Sequence, residues 1–329
     1  MHPCLQVQEV VRNVCSYLDK KSCLAFGLTC QAVIDPALDE IWENLNSWDF
    51  LLSLPEDVRK ISRKSCKNCG ERVPGTECTR YLELSDGKNG FTNTDLQQYL
   101  AHYAPRIRVL KPEVRCGMVM PSTSSFQALA LATENEPGAL SPSLREFKWM
   151  PPSMLKKCFP EWETAARSSA LMTLFLGSRV STLHAELSNG YGDALYLASV
   201  YAAMKRLGPL QLAGLSLELN PSEAALLDGF FGVGGSASTG IHLRVLRLGC
   251  LSIRHLFSVA SLPQVEDLSV EELDSGSFQD TAFAAARASL PPTPFPNLRR
   301  LMLGAANFEQ VAVITRSPRF MLLPGAGAL

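Results

Sequence analysis

Across residues 1–45 the apolar positions recur at helical spacing in three successive bursts. Val7, Val10, Val11, Val14 and Leu18 fall at i, i+3, i+4, i+7 and i+11, one face of a 3.6-residue period. The polar run 19–22 interrupts that face, and Ser22 carries a hydroxyl suited to cap a second helix. Leu24 and Leu28 follow one turn apart. Asp35 and Pro36 then predict a third start, an acidic N-cap followed by a proline preset for the first turn. Leu38, Ile41, Trp42 and Leu45 come after it at i, i+3, i+4 and i+7. Three short helices with almost no linker enclose little interior, so a module of this kind borrows a partner's core.

From about residue 106 the period changes. Residues 212–220, LAGLSLELN, fit L-x-x-L-x-L-x-x-N through Leu212, Leu215, Leu217 and Asn220. Leu243, Leu246, Leu248 and Leu251 repeat the pattern, as do Val265, Leu268, Val270 and Leu273. Leu298, Leu301 and Leu303 do so again, with Asn307 one place late. Looser copies start at Ile107 (with Leu110), Leu144 (with Phe147 and Trp149) and Val180 (with Leu183 and Ala185). The starts 107, 144, 180, 212, 243, 265 and 298 are 22 to 37 residues apart. Each copy predicts one short strand whose alternate residues enter a core, followed by a return long enough for a helix. Helical returns are expected at 95–103, 194–207, 222–230 and 280–288. Between the two regions, Leu51, Leu52 and Leu54 extend the third helix's apolar character up to Pro55. Residues 60–88 read as a polar loop or loose hairpin, and 91–103 as a helix capped by Thr92 or Thr94.

Two resemblances follow from these residues. The stretch HPCLQVQEVVRNVCSYLDKKSCLAFGLTCQAVIDPALDEIW resembles an F-box, particularly the version of basidiomycete fungi. Its matching positions are Glu9-Val10, Tyr17-Leu18-Asp19, Leu24, Leu28-Thr29-Cys30, Asp35-Pro36-Ala37-Leu38 and Trp42. Gln8 departs from the pattern, standing where many F-boxes carry the proline of a Leu-Pro pair. The later repeats resemble an irregular leucine-rich repeat. Together they imply an α/β chain: an F-box module at 1–50, a linker with a connecting helix at 51–105, a leucine-rich-repeat-like solenoid at 106–317 and an irregular tail at 318–329. The tail ends in PGAGAL, without the polar cap that terminal repeats normally carry.

Composition narrows the function. Hydrophobic residues make up 46% and charged residues 19% of 329, which excludes general disorder. Thirty-one basic against thirty-two acidic residues leave a net charge of −1, so no broad basic field serves nucleic acid or anionic membrane. Neither a secretory signal nor an apolar run of membrane-spanning length is visible. Ten cysteines mostly occupy helix or strand patterns, Cys15, Cys23 and Cys30 among them as small core residues, so a reducing cytoplasmic or nuclear compartment is expected.

Motifs for chemistry are sparse. Cys66-x-x-Cys69 with Cys78 is the only metal-like spacing, but a structural zinc needs four ligands and no fourth lies close by. No metal and no cofactor are therefore expected. The cluster 232–237 has the outline G-x-G-x-x-A but follows a predicted helix rather than a strand, so it reads as an inter-repeat loop. His2, His102, His184, His242 and His255 share no ligand spacing. His184, Glu186, Ser216, Glu218, Arg247 and Ser269 alternate with apolar strand positions and are expected to face outward.

The resemblance implies a substrate-receptor subunit of a Skp–cullin–F-box ubiquitin ligase, itself no enzyme. Its helical module would dock on a Skp-type adaptor, and through it a cullin, while the repeats recruit a protein substrate. The adaptor face is expected among Leu5, Val7, Glu9, Val10, Leu24, Leu28 and Trp42, some of which belong to the module's own core. Two alternatives stand beside it. One is a repeat scaffold without ubiquitin transfer; the other is an enzyme with a site assembled from distant residues, around Cys66, Cys69 and Cys78.

Overall fold

A computed structural model of the chain describes residues 7–64, 79–84, 91–113, 118–149, 169–186, 202, 212–218, 243–274 and 295–304. The fold is mixed α/β, in two compact units. The first takes in residues 1–148, 157–162 and 170–179, the second 149–156, 163–169 and 180–329.

The first unit opens with α1 (Gln8–Ser16), α2 (Lys20–Gly27) and α3 (Gln31–Glu43). Their shared core is small: Val11, Cys15, Cys23, Val33 and Ala37, with Leu18, Phe26, Cys30 and Ile41 packed around it. Gly27 lets α2 and α3 approach closely, since a Cβ there would lie 2.8 Å from that of Ala37. Two helix starts differ from the sequence reading. Asp19, not Ser22, caps α2: its carboxylate accepts the Ser22 amide at 2.9 Å and the Ser22 hydroxyl at 3.0 Å. Ser22 is the third helical residue, the one whose N–H an N-cap side chain reaches. The third helix begins at Gln31 rather than at Asp35-Pro36, leaving Pro36 inside it. The proline removes one internal hydrogen bond, but Val33, Pro36 and Ala37 are all buried, and that burial outweighs the loss.

α3 passes directly into β1 (Asn44–Leu45), which pairs in parallel with β4 (Val109–Leu110). The junction is extended by the amides of Arg108, Lys111 and Glu113, which donate to the carbonyls of Glu43, Leu45 and Asn46 at 3.0, 2.8 and 2.9 Å. Arg106 clamps the same place from the side. Its guanidinium pairs with the carboxylates of Asp35 (2.7 Å) and Asp39, and donates to the carbonyls of His102 (2.7 Å) and Asp35 (3.0 Å). Trp42 stacks on Tyr103 with ring centroids 4.4 Å apart.

Beyond β1 the chain does not continue the third helix. Asp49–Ser53 form a 3-10 turn that buries Phe50 and Leu51, with Leu54 buried just after it. β2 (Arg59–Lys64) and β3 (Thr79–Leu84) pair antiparallel, and β3 pairs in parallel with β5 (Val119–Pro121), a second small sheet. α4 (Asn93–His102) starts at Thr92, whose N–H and hydroxyl both donate to the Asp95 carboxylate at 2.8 Å. α5 (Thr123–Ala132) and α6 (Ser169–Thr173) complete the unit's helices among the described residues. Its interior is an aromatic cluster centred on Phe175, whose ring lies 5.2 Å from Trp48, 5.5 Å from Phe147 and 6.2 Å from Phe126. β6 (Glu146–Trp149) lies beside β4 in parallel.

In the second unit β7 (Thr182–Glu186), β8 (Gly214–Glu218), β9 (Val245–Ser252), β10 (Asp267–Asp274) and β11 (Arg300–Leu303) run parallel in that order. The seven segments carrying the repeated pattern are thus strands, parallel within each unit, and each begins two residues after its first apolar position. Leu183, Ala185, Leu215, Leu217, Leu246, Leu248, Leu268 and Val270 are buried, as period-two alternation requires. α7 (Ile253–Ala260) forms the return between β9 and β10. The predicted returns at 194–207, 222–230 and 280–288 lie, but for residue 202, outside the described residues.

The Arg106 clamp gives a direct test. Replacing Arg106 by Ala should lower unfolding stability by about 2 kcal/mol, the scale of lost charge-assisted hydrogen bonds to partly solvated carboxylates. Urea unfolding of the purified chain checks this, and no change in midpoint would show that the module is held by its backbone pairing alone.

Candidate functional site

The concentration of uncovered apolar side chains on the first helices sets them apart from the rest. Of ten large apolar residues exposed among those described, seven lie between residues 7 and 34: Val7, Val10, Val14, Tyr17, Leu24, Leu28 and Ile34. Tyr17 is 84% exposed, Leu28 75% and Leu24 48%. Scattered single residues of this kind are ordinary, but seven within one small module form a feature to be explained.

Helix geometry accounts for it. At about 100° per residue, Val7, Val10, Val14, Leu18, Val11, Cys15 and Tyr17 spread over an arc of roughly 160° around α1, wider than one neighbour covers. Val11 and Cys15 occupy one side of that arc and are buried, whereas Val7, Val10, Val14 and Tyr17 occupy the other and face solvent. On α2 the split is similar: Cys23 and Gly27 face in, while Leu24 and the C-capping Leu28 face out.

The residues expected at a docking face therefore separate. Val7, Glu9, Val10, Leu24 and Leu28 are all exposed. Trp42 is half-buried and spent on its stack with Tyr103, which makes it part of the structural junction. Leu5 lies outside the described residues. Tyr17 and Ile34 face outward as well; the width of the α1 arc, worked out in degrees rather than as i+3/i+4 matches, points to Tyr17.

A concavity lies between α1, α3 and the turn at Ala104–Arg106, lined by Arg12, Asp39, Glu40, Glu43 and Arg106 among others. Arg106 holds Asp35 and Asp39, and Arg12 lies 4.0 Å from Asp39.

Of the other residues singled out, Cys66, Cys69, Cys78, His2, His242 and the glycine cluster 232–237 lie outside the described residues. His255 is buried and hydrogen-bonded to the Ser252 hydroxyl at 2.7 Å. Among the described residues no group of three or more His, Cys, Asp or Glu could hold a metal ion, and no helix is long and apolar enough to cross a membrane. The thiols of Cys15 and Cys23 are buried in the module core, and the Cys23 thiol lies 3.6 Å from the Ala37 carbonyl. Burial pushes the Cys23 thiol up to about 11, with the neighbouring Cys15 reinforcing it. Asp19 is held below the usual carboxylate range by the Ser22 amide and hydroxyl.

Compared with known proteins, the chain matches no family model, and no curated protein is significantly similar to it.

The raised thiol predicts an alkaline limit to the module's stability. Folded Cys23 keeps its proton while the unfolded thiol loses it above its ordinary value of 9.0. The contribution is thus complete below about pH 9 and declines as pH rises toward 11. Buried Tyr99, also pushed up, adds to the same trend. Thermal melts from pH 7 to pH 11 should show a falling midpoint above pH 9, and Cys23→Ala should flatten that slope even though it lowers the midpoint at pH 7.

Proposed function

We propose that the chain is an F-box-type substrate receptor of a Skp–cullin–F-box ubiquitin ligase. Its three N-terminal helices would dock a Skp-type adaptor, and its parallel-strand region would recruit a protein to be modified. The observation that carries this reading is the outward apolar face of α1 and α2 on a module whose own core is only a handful of small residues. Covering an exposed leucine on docking is worth about 1–2 kcal/mol, and several together offset part of the cost of association. The residues that resemble an F-box coincide with this face at Val10, Tyr17, Leu24 and Leu28. The protein would perform no bond chemistry; it would hold a substrate near the ubiquitin-loaded enzyme, and proximity supplies the acceleration.

Parallel strands bearing the recurrent leucine pattern support a leucine-rich-repeat-like recruiting region, with an outward row of mixed polar side chains. The runner-up reading is a repeat-based interaction scaffold without ubiquitin transfer, favoured by Gln8 at a position where many F-boxes have proline.

Two experiments on the full chain test these readings. Co-expressed with a Skp-type adaptor and passed over size-exclusion chromatography, the wild type should elute as a one-to-one complex. Leu24→Asp should weaken that complex at least tenfold while leaving the thermal midpoint within about 1 °C, because the side chain it replaces is exposed. A folded Leu24→Asp chain that still binds fully would refute the docking face. Gln8 is the first residue of α1, and Val7 before it is extended (φ −89°, ψ 109°), a conformation that a following proline tolerates. Gln8→Pro should therefore raise stability by about 0.5–1 kcal/mol and tighten adaptor binding, read by calorimetry and by pull-down. Destabilisation by this change would place Gln8 in a role that proline cannot fill.

A further inference from the structure

Because β7 to β11 run parallel and in register, alternate residues line up in straight rows across the strands. The row opposite the buried leucines reads His184, Ser216, Arg247, Ser269 and Met302. Arg247 is exposed at its centre, with Ser216 and Ser269 half-buried on either side at the usual strand spacing of about 4.8 Å. Among the described residues neither the guanidinium nor the two hydroxyls has an ion-pair or hydrogen-bond partner. Arg244 behaves differently, pairing with Glu266 at 2.7 Å. Along β9 the same-face neighbours of Arg247 are Val245 and Gly249, so on one side no side chain stands over the guanidinium.

We infer that the Ser216–Arg247–Ser269 row binds one anionic side chain of an extended peptide laid across the strands. A planar guanidinium flanked by two hydroxyl donors matches the oxygens of a carboxylate or a phosphate ester. Gly249, beside Arg247 on the same strand, lets a peptide backbone come close. The surrounding charges set the limit of that chemistry. Asp267 and Glu271 lie on the neighbouring strand, diagonal to Arg247, and Glu186 and Glu218 hold register positions in the next row. Repeated acidic residues would meet the carboxylates of Asp267 and Glu271, so the fitting ligand carries a single negative group in a neutral setting. Polyanions such as nucleic acid do not fit. The inference rests on reading the strand region as the recruiting surface, but it concerns different residues from the adaptor face.

The test uses the full chain and four degenerate peptide libraries, identical except for a central residue fixed as phosphoserine, glutamate, serine or lysine. The wild type should retain the phosphoserine or the glutamate library about tenfold better than the serine and lysine ones. The better of the two anions tells whether phosphate or carboxylate is the natural group. Arg247→Gln should bring retention down to the serine level, and Ser216→Ala with Ser269→Ala should reduce it about threefold. Equal retention of all four libraries, or a preference that survives Arg247→Gln, would overturn the proposal. Thermal melts and adaptor binding measured on the same Arg247→Gln chain should match wild type. A loss of adaptor binding by the wild type would instead count against the ubiquitin-ligase reading, which keeps the two failures apart.

Discussion

The third helix does not end free; it runs straight into a strand, and its last carbonyl is taken up there. Glu43, Leu45 and Asn46 accept amides from Arg108, Lys111 and Glu113, so the helical module is built into the edge of a sheet rather than tethered to it. Carbonyls at a helix C-terminus lack partners within the helix, and here the Arg108 amide supplies one for Glu43. Around this junction Arg106 and the Trp42–Tyr103 stack fix the roll of α3. The module can then remain folded on five small buried side chains and still leave a broad apolar surface uncovered. Without that anchorage, so small a core would favour closing over its own hydrophobic residues.

The strands were legible because period two is imposed by burial. Wherever L-x-x-L-x-L recurs, both later apolar residues must face one side, and they do in the strands from β7 to β10. Helix starts were less legible because several residues compete for them. Asp19 and Ser22 are both competent caps, and only the path of the chain decides that Asp19 accepts from Ser22 rather than Ser22 serving later residues. At Pro36 local propensity pointed to a helix start, whereas burial of Val33 and Ala37 carried the helix five residues further back. β1 and β5 left little trace, since pairings two or three residues long depend on partners distant in sequence, whereas the antiparallel pairing of β2 and β3 agrees with the loose-hairpin alternative read at 60–88.

For the exposed apolar face, the sequence marked the helices that carry it but could not divide their residues between interior and surface. The α1 arc is apolar across a width that either assignment would satisfy. Trp42 illustrates the limit: a large aromatic at helical spacing fits an interface, yet Tyr103, sixty-one residues later, claims it. On the strand face the outward residues were readable individually, but their alignment into one row, with Arg247 between two serines, follows only from register.

In-register parallel strands have an evolutionary consequence. Each outward residue of a row sits on its own strand, backed by leucines it does not touch, so one position can be exchanged without disturbing the packing beneath. The surface can be rewritten strand by strand, like type set in separate slots. Gly214 and Gly304 are the exceptions. A Cβ at Gly214 would crowd the Thr182 side chain, and one at Gly304 would collide with the backbone of Glu271, so these two slots stay blank while their neighbours remain free to vary.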